Sequence, residues 1–381
     1  MRIANRHFGV LYGAMIVFLF VPFSRAAAPS AMTTSERRTS FNTDWRFFKG
    51  EAVGAEQPQF DDSSWRIVRL PHDWAIEGPF DRKLNPHTGA LPIFGTGWYR
   101  KSFTLPESAK GRNIAVEFDG AMNNSQVWLN GHLLGGRPYG YIGFEFHLTP
   151  FLKFGGETNV LAVRLTPEDR SSRWYPGAGI YRNVWLVATG PVHVAHWGTY
   201  LTTPSVSGKQ ATVSVKTDLV NRSDKPAEVT LRSSILDREG RVVGKADLGT
   251  SIPPNGRVTL PAILNVTHSR RWDIDDPYLY TLVSKIKARE EVLDQYTTPF
   301  GIRTIAFDKE KGFFLNGRHL KLQGVCNHHD LGALGAAVNR RATERQLEIL
   351  KAAGVNAIRT SHNPPSPELL EYADRGIPGD R

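Results

Sequence analysis

From position 41 to 299 the apolar residues come in short runs at a spacing of two, each cut off by turn formers. That rhythm points to antiparallel β-sheet. Val116-Glu117-Phe118 and Gln126-Val127-Trp128-Leu129 are strand-like, and Asn130-Gly131 then supplies the two positive-φ positions of a tight hairpin. Positions 160–165 alternate as well. Between 41 and 189 no long amphipathic helix breaks the pattern, so an antiparallel sandwich of jelly-roll type fits best, over 40–190. Pro191 opens a second all-β stretch. Val213, Val215, Thr217 and Leu219 alternate, as do 229–235 and 280–286. A segment running 191–299 is close to the ~100 residues of an immunoglobulin-like sandwich.

After Gly301 the rhythm changes. Asn316-Gly317 predicts another hairpin, and 320–325 reads as a buried strand. Thr343-Glu344-Arg345-Gln346 has the form of a capping box opening a helix over 344–353, with Gly354 as its stop. A strand over 355–360 follows, and Ser366-Pro367 caps a second helix. Strand, helix, strand, helix is the opening of a β/α barrel, so 300–381 is expected to be its truncated start. Two β/α units cannot close a ring of eight. The fold class is therefore multidomain and mainly β, ending in the beginning of a (β/α)8 TIM barrel.

The first residues read as an export signal. Arg2 and Arg6 make a basic start, positions 8–21 are apolar, and Ala26, Ala27 and Ala28 offer small residues for cleavage. The apolar run is shorter than the ~20 residues of a membrane span. A cleaved leader over 1–28 is expected rather than an uncleaved anchor, and with it a periplasmic or extracellular location. Positions 33–43 are polar and read as a linker. Cys326 is the only cysteine, so no intramolecular disulfide can form and apolar cores must supply the stability. Cys326 ends an apolar run, which predicts a buried strand cysteine rather than a catalytic thiol. The formal charge of +10 falls to +7 without Arg2, Arg6 and Arg25 of the leader. Basic and acidic residues are interspersed with no Lys/Arg block, which argues against a nucleic-acid partner.

Several stretches resemble one family in order and spacing. These are Asp44-Trp45-Arg46-Phe47, Leu70-Pro71-His72-Asp73-Trp74, Gly97-Trp98-Tyr99-Arg100, Val127-Trp128-Leu129-Asn130-Gly131, the run 174–182 (Trp174-Tyr175-Pro176-Gly177-Ala178-Gly179-Ile180-Tyr181-Arg182) and Phe300-Gly301-Ile302-Arg303. Together they resemble the family 2 glycoside hydrolases, which include β-galactosidases, β-glucuronidases and β-mannosidases. The resemblance implies a retaining glycosidase acting on a β-galactoside or related glycan. It also carries the expectation of a homo-oligomer in the full-length form. The 174–182 run and Asn363-Pro364-Pro365 look more like β-galactosidase members than the other two. Gly324-Val325-Cys326-Asn327-His328-His329-Asp330 resembles the segment after the first barrel strand, where Asp330 matches a residue that touches the sugar. Ile358-Arg359-Thr360-Ser361-His362-Asn363-Pro364 resembles the end of the second strand, where His362 matches a histidine that contacts the glycone. His329, Asn363, Arg359 and Trp174 complete the implied substrate-binding set. Of the adjacent pair, His328 is read as the one orienting the loop. Active sites of such barrels lie at the C-terminal strand ends, where Asp330 and His362 both fall.

A metal reading of His328, His329, Asp330 and His362 is weaker, because adjacent histidines rarely face one ion and no further ligand repeats at metal spacing. The chain itself is expected to hold no cofactor. Family members can bind magnesium or sodium, through ligands that mostly match positions past this sequence. A retaining glycosidase also needs two carboxylates about 5–5.5 Å apart. The resemblance puts both on barrel strands beyond position 381, so no catalytic acid or nucleophile is assigned, and the chain alone is expected to be inactive. Glu344, Glu348, Glu368 and Glu371 fall on helices, away from the strand ends. The rival from another class is a non-catalytic carbohydrate-binding module built from the two sandwiches.

Overall fold

The computed structural model describes residues 30–31 and 36–376. The expected leader over 1–28 lies outside the described residues. The first unit is a two-sheet sandwich. One sheet runs Arg66–Val68, Trp45–Lys49, Gly97–Thr104, Thr158–Leu165, Ser125–Leu129, His132–Arg137, with Ser30–Ala31 paired in parallel to Gly97–Thr104. The other runs Arg38–Ser40, Val184–Thr189, Asn113–Phe118, Phe144–His147. Phe41, Trp45, Tyr99, Phe103, Phe118 and Phe144 fill the space between them. Asn130 and Gly131 take φ of 51° and 86°, as the hairpin requires. The Thr158–Leu165 strand alternates less than its sequence suggests. Its outer face is covered too, by Trp98 stacked on Trp128 at 5.5 Å beside Ala162.

The polar stretch read as a linker contains the Arg38–Ser40 strand, which pairs with Val184–Thr189. Its polarity hides it. Arg38 is an edge residue whose guanidinium donates to Glu117 and Asp119 at 3.0 Å and stacks 4.0 Å over Trp185.

The second unit packs a three-stranded sheet (Val192–Ser207, Gln210–Asn221, Arg257–Thr267) on a four-stranded one (Val242–Ile252, Ala227–Leu236, Tyr280–Ala288, Glu291–Phe300). Val213, Val215, Ile235, Leu264 and Leu282 lie between the sheets, giving an immunoglobulin-like sandwich without a disulfide.

The third unit opens with the strands Ile305–Asp308, Gly312–Leu315 and Arg318–His319, turning at Asn316 and Gly317 with φ of 53° and 79°. Gly324–Asn327 then pairs in parallel with Ala357–Thr360 across helix α1 (Arg340–Ala352), and helix α2 (Pro367–Arg375) follows. This is the start of a TIM barrel. Three local expectations need correcting. Positions 320–323 are not strand, and Leu322 is exposed. Cys326 lies on the strand but is exposed, because it sits beside Arg359 on a face that no described element covers. Helix α1 is capped by Asn339, whose side chain accepts from the Ala342 N–H at 2.9 Å. Thr343 is buried inside the helix and donates back to the Asn339 carbonyl. Ser366 caps α2 as expected, accepting from Leu369 N–H, with Pro367 in the first turn. Among the described residues no helix is long and apolar enough to cross a membrane.

Candidate functional site

Two strand ends and one sandwich loop meet at the top of the barrel segment. His328 follows Gly324–Asn327, His362 follows Ala357–Thr360, and Trp174 comes from the loop before the Val184–Thr189 strand. Their rings form a triangle: Trp174 to His362 5.2 Å, His328 to His362 5.5 Å, Trp174 to His328 6.2 Å. Trp174 is held from behind, its Nε1 donating to the Tyr141 hydroxyl at 2.9 Å. His328 and His362 are exposed, so this triangle faces outward.

Arg359 lies beside it. Its guanidinium donates to the Ser361 hydroxyl at 3.0 Å and points Nη2 at His362 Nδ1, 3.3 Å away. A guanidinium can only donate, so Nδ1 accepts and the His362 ring proton sits on Nε2, available to a hydroxyl oxygen. Asp330 is half-buried, and among the described residues its carboxylate accepts no hydrogen bond. It remains open to a polar ligand.

His329 and Asn363 turn the other way. His329 Nε2 donates to the Pro176 carbonyl at 3.1 Å, and its ring packs edge-on against Tyr141 and Tyr181. Burial pulls its pKa down to about 4, so the ring is neutral near pH 7. Asn363 is 7% exposed. The unpartnered His329 Nδ1, Asn327 Nδ2 and Asn363 Oδ1 belong to residues around one small cavity of about 40 Å³ behind the triangle. The placement of the adjacent histidines differs from the sequence expectation: His328 lies beside His362, while His329 hydrogen-bonds the sandwich at Pro176. The reason is positional. Successive residues leaving a strand point to opposite sides, and docking on the sandwich decides which side is inward.

Sequence reasoning gave no role to Tyr141, which backs Trp174, or to Asp73, which is 3% exposed and binds the loop after Asp330. Asp73 stands in a quoted motif, and a lone acid among apolar residues was the available signal. The helix acids are engaged elsewhere. Glu344 and Glu348 pair with Arg341, Glu371 with Arg340 and Arg375, and buried Glu368 accepts from Asn183 at 2.6 Å. Among the described residues no three His, Cys, Asp or Glu side chains converge as a metal would require.

Comparison with known proteins covers most of the described length. Residues 40–190 match the sugar-binding domain of glycosyl hydrolases family 2, 192–303 match a further model described as glycosyl hydrolases family 2, and 306–377 match the family's TIM barrel domain. A β-galactosidase of Bacteroides ovatus is 53% identical over 353 residues, 92% of this chain and 41% of that protein. A putative β-glucuronidase of Formosa agariphila is 35% identical over 88% of this chain and 32% of its own length. The crystal structure of a family 2 member from Bacteroides cellulosilyticus superposes with a TM-score of 0.84 at 40% identity, covering 89% of this chain and 45% of that one. The chain thus spans less than half the length of these relatives. With three family 2 models matched in succession along it, the chain belongs to family 2 of the glycosyl hydrolases.

Proposed function

We propose that this chain supplies the sugar-binding, immunoglobulin-like and first barrel units of a retaining glycosidase acting on terminal β-D-galactosides. The observation that carries the reading is the arrangement of Trp174, His328 and His362 around the strand ends, with the open carboxylate of Asp330 on the same loop as His328. An indole face, an imidazole N–H and a carboxylate acceptor are what a pyranose ring with several hydroxyls engages. Asp330 accepts from a hydroxyl and His362 Nε2 donates to one. Such bonds speed the reaction to the extent that they tighten as the oxocarbenium-like transition state forms. Arg359 orients His362, and His329 and Asn363 hold the loops from the inner side.

Galactoside is preferred because the relative at 53% identity is a β-galactosidase. Glucuronide is the second reading, since β-glucuronidases at 35% and 33% identity also align over most of the chain. Double displacement needs a proton donor and an attacking carboxylate. From 324 to 376, Asp330 is the one acid just beyond a strand end. The test compares residues 1–381 alone with a polypeptide carrying a complete barrel, on aryl β-galactoside and aryl β-glucuronide. Turnover of the galactoside by the longer protein alone is expected. Faster glucuronide turnover would replace the substrate assignment. Turnover by residues 1–381 alone would overturn the division of labour.

The export and location readings stand as part of the same proposal: a leader over 1–28 taking the protein to the periplasm or outside. N-terminal sequencing of the secreted protein tests it.

A further inference from the structure

One oxygen of Asp73 stays within the sugar-binding unit, and the other bridges that unit to the barrel segment. Oδ1 accepts from the backbone N–H groups of Ala75 at 3.0 Å and Ala178 at 2.9 Å, both in the sugar-binding unit. Oδ2 accepts from the Tyr175 hydroxyl at 2.6 Å and from the N–H of Ala336 at 2.8 Å, 263 residues away in the barrel segment. The carboxylate is 3% exposed, so these four donors replace its water. Burial and the neighbouring Asp73 charge push the Tyr175 phenol well above its ordinary pKa, which keeps it a donor.

Space around the contact is fully used. A Cβ on Gly335 would lie 2.4 Å from Asp73 Oδ2, and a Cβ on Gly177 would lie 2.4 Å from that of Ala336. Gly335 also has a φ of 61° and ψ of −142°, a conformation open to glycine. Asp73 ties the far limb of the loop to the 174–178 segment, and next to it the Val338 N–H donates to the Tyr181 carbonyl at 2.9 Å. The near limb is tied to the same segment by His329 on Pro176. Asp330 lies between the two ties.

We infer that Asp73, a residue of the sugar-binding unit, is a positioning residue that sets where Asp330 stands in the sugar site of the barrel. The inference rests on the glycosidase reading for its functional half and on geometry alone for its structural half. Positioning matters at this scale, since a displacement of ~1 Å can cost on the order of 10²-fold in rate.

Asp73→Asn separates the two oxygens. An amide whose oxygen stays on Ala75 and Ala178 turns its NH2 toward the Ala336 N–H, donor against donor. Hydrogen exchange on residues 1–381 should then show the Ala336 and Val338 amides exchanging at least tenfold faster, with Ala178 and the Gly97–Thr104 strand unchanged. Gly335→Ala, which opens the contact from the barrel side, should give the same pattern. An unchanged Ala336 amide in both variants would overturn the inference, and so would a rise throughout the sugar-binding unit. In a polypeptide with a complete barrel, Asp73→Asn should lower kcat/KM on the aryl galactoside about 10- to 100-fold. Combined with Asp330→Asn it should add almost nothing to the loss from Asp330→Asn alone. Additive losses would overturn positioning through Asp330. A wild-type protein without turnover would sink the glycosidase reading, while the exchange result would still decide the tie itself.

Discussion

Arg182 donates from Nη2 to the backbone oxygen of Pro364 at 2.8 Å, and from Nη1 to that of Tyr141 at 3.0 Å. One buried side chain of the sandwich thereby fixes the loop just after His362. Arg182→Met keeps most of the volume and removes the donors, leaving the buried Tyr141 carbonyl unmatched and the Pro364 carbonyl untied. A loss of about 3 kcal/mol is expected from general hydrogen-bond magnitudes. The readout is the urea midpoint followed by tryptophan fluorescence. A shift too small to resolve would show that water replaces the guanidinium at no cost.

The start of α1 can be tested separately. Asn339 accepts from Ala342 N–H, whereas Thr343 sits buried a turn later. Asn339→Ala should cost about 1 kcal/mol, the usual worth of an N-cap. Hydrogen exchange in the first turn of α1 should rise with it. Thr343→Val, which keeps the shape, should leave those amides near their original rates. The opposite ranking would move the cap to Thr343.

Two groups make the domain junctions sensitive to pH in opposite directions. Burial, then the charge of Glu117, raises the Glu145 pKa to about 7, so the folded protein holds that proton more tightly than the unfolded chain does. Its contribution is fully present below the unfolded value and is lost as pH rises through about 7. Glu145→Gln should therefore gain stability relative to the parent between pH 5 and pH 8. His329 behaves in reverse. Its folded pKa of about 4 lies below the unfolded value, so folding loses support as pH falls from about 6.5 toward 4. His329→Gln, whose amide can still donate to Pro176, should flatten that acid limb. Thermal melts of the three proteins from pH 4 to 8 check both signs. Parallel curves would refute the burial argument.

Cys326 offers a built-in probe. It is exposed on the open face beside Arg359. Residues 1–381 should take up one equivalent of a thiol reagent without denaturant. A polypeptide with a complete barrel should react at least tenfold more slowly. Equal rates would mean that this face stays open in the longer protein.

Much of the fold was legible because local rules and tertiary structure agree. Asn130-Gly131 and Asn316-Gly317 demand positive φ wherever they occur, and both turn where expected. Ser366-Pro367 leaves few choices but a helix start. The failures share a cause, which is that burial was inferred from neighbours in sequence. Cys326 follows apolar residues, yet its face is open. Arg38 is polar, yet its strand closes a sheet edge through Glu117, Asp119 and Trp185. Thr343 fits the capping pattern, but Asn339 lies one turn earlier and takes the role. His328 and His329 are identical in type and adjacent, so only the docked sandwich distinguishes them.

The tie from His329 to Pro176 bears on how such proteins could be recombined. A hybrid joined near residue 190 would swap whole sheets cleanly, yet it would pair a foreign 174–182 loop with a resident histidine loop. Compatible parents would be those that match at this seam, whatever their likeness elsewhere. Grafting the sugar-binding unit together with 328–338 as one cassette would carry the seam intact.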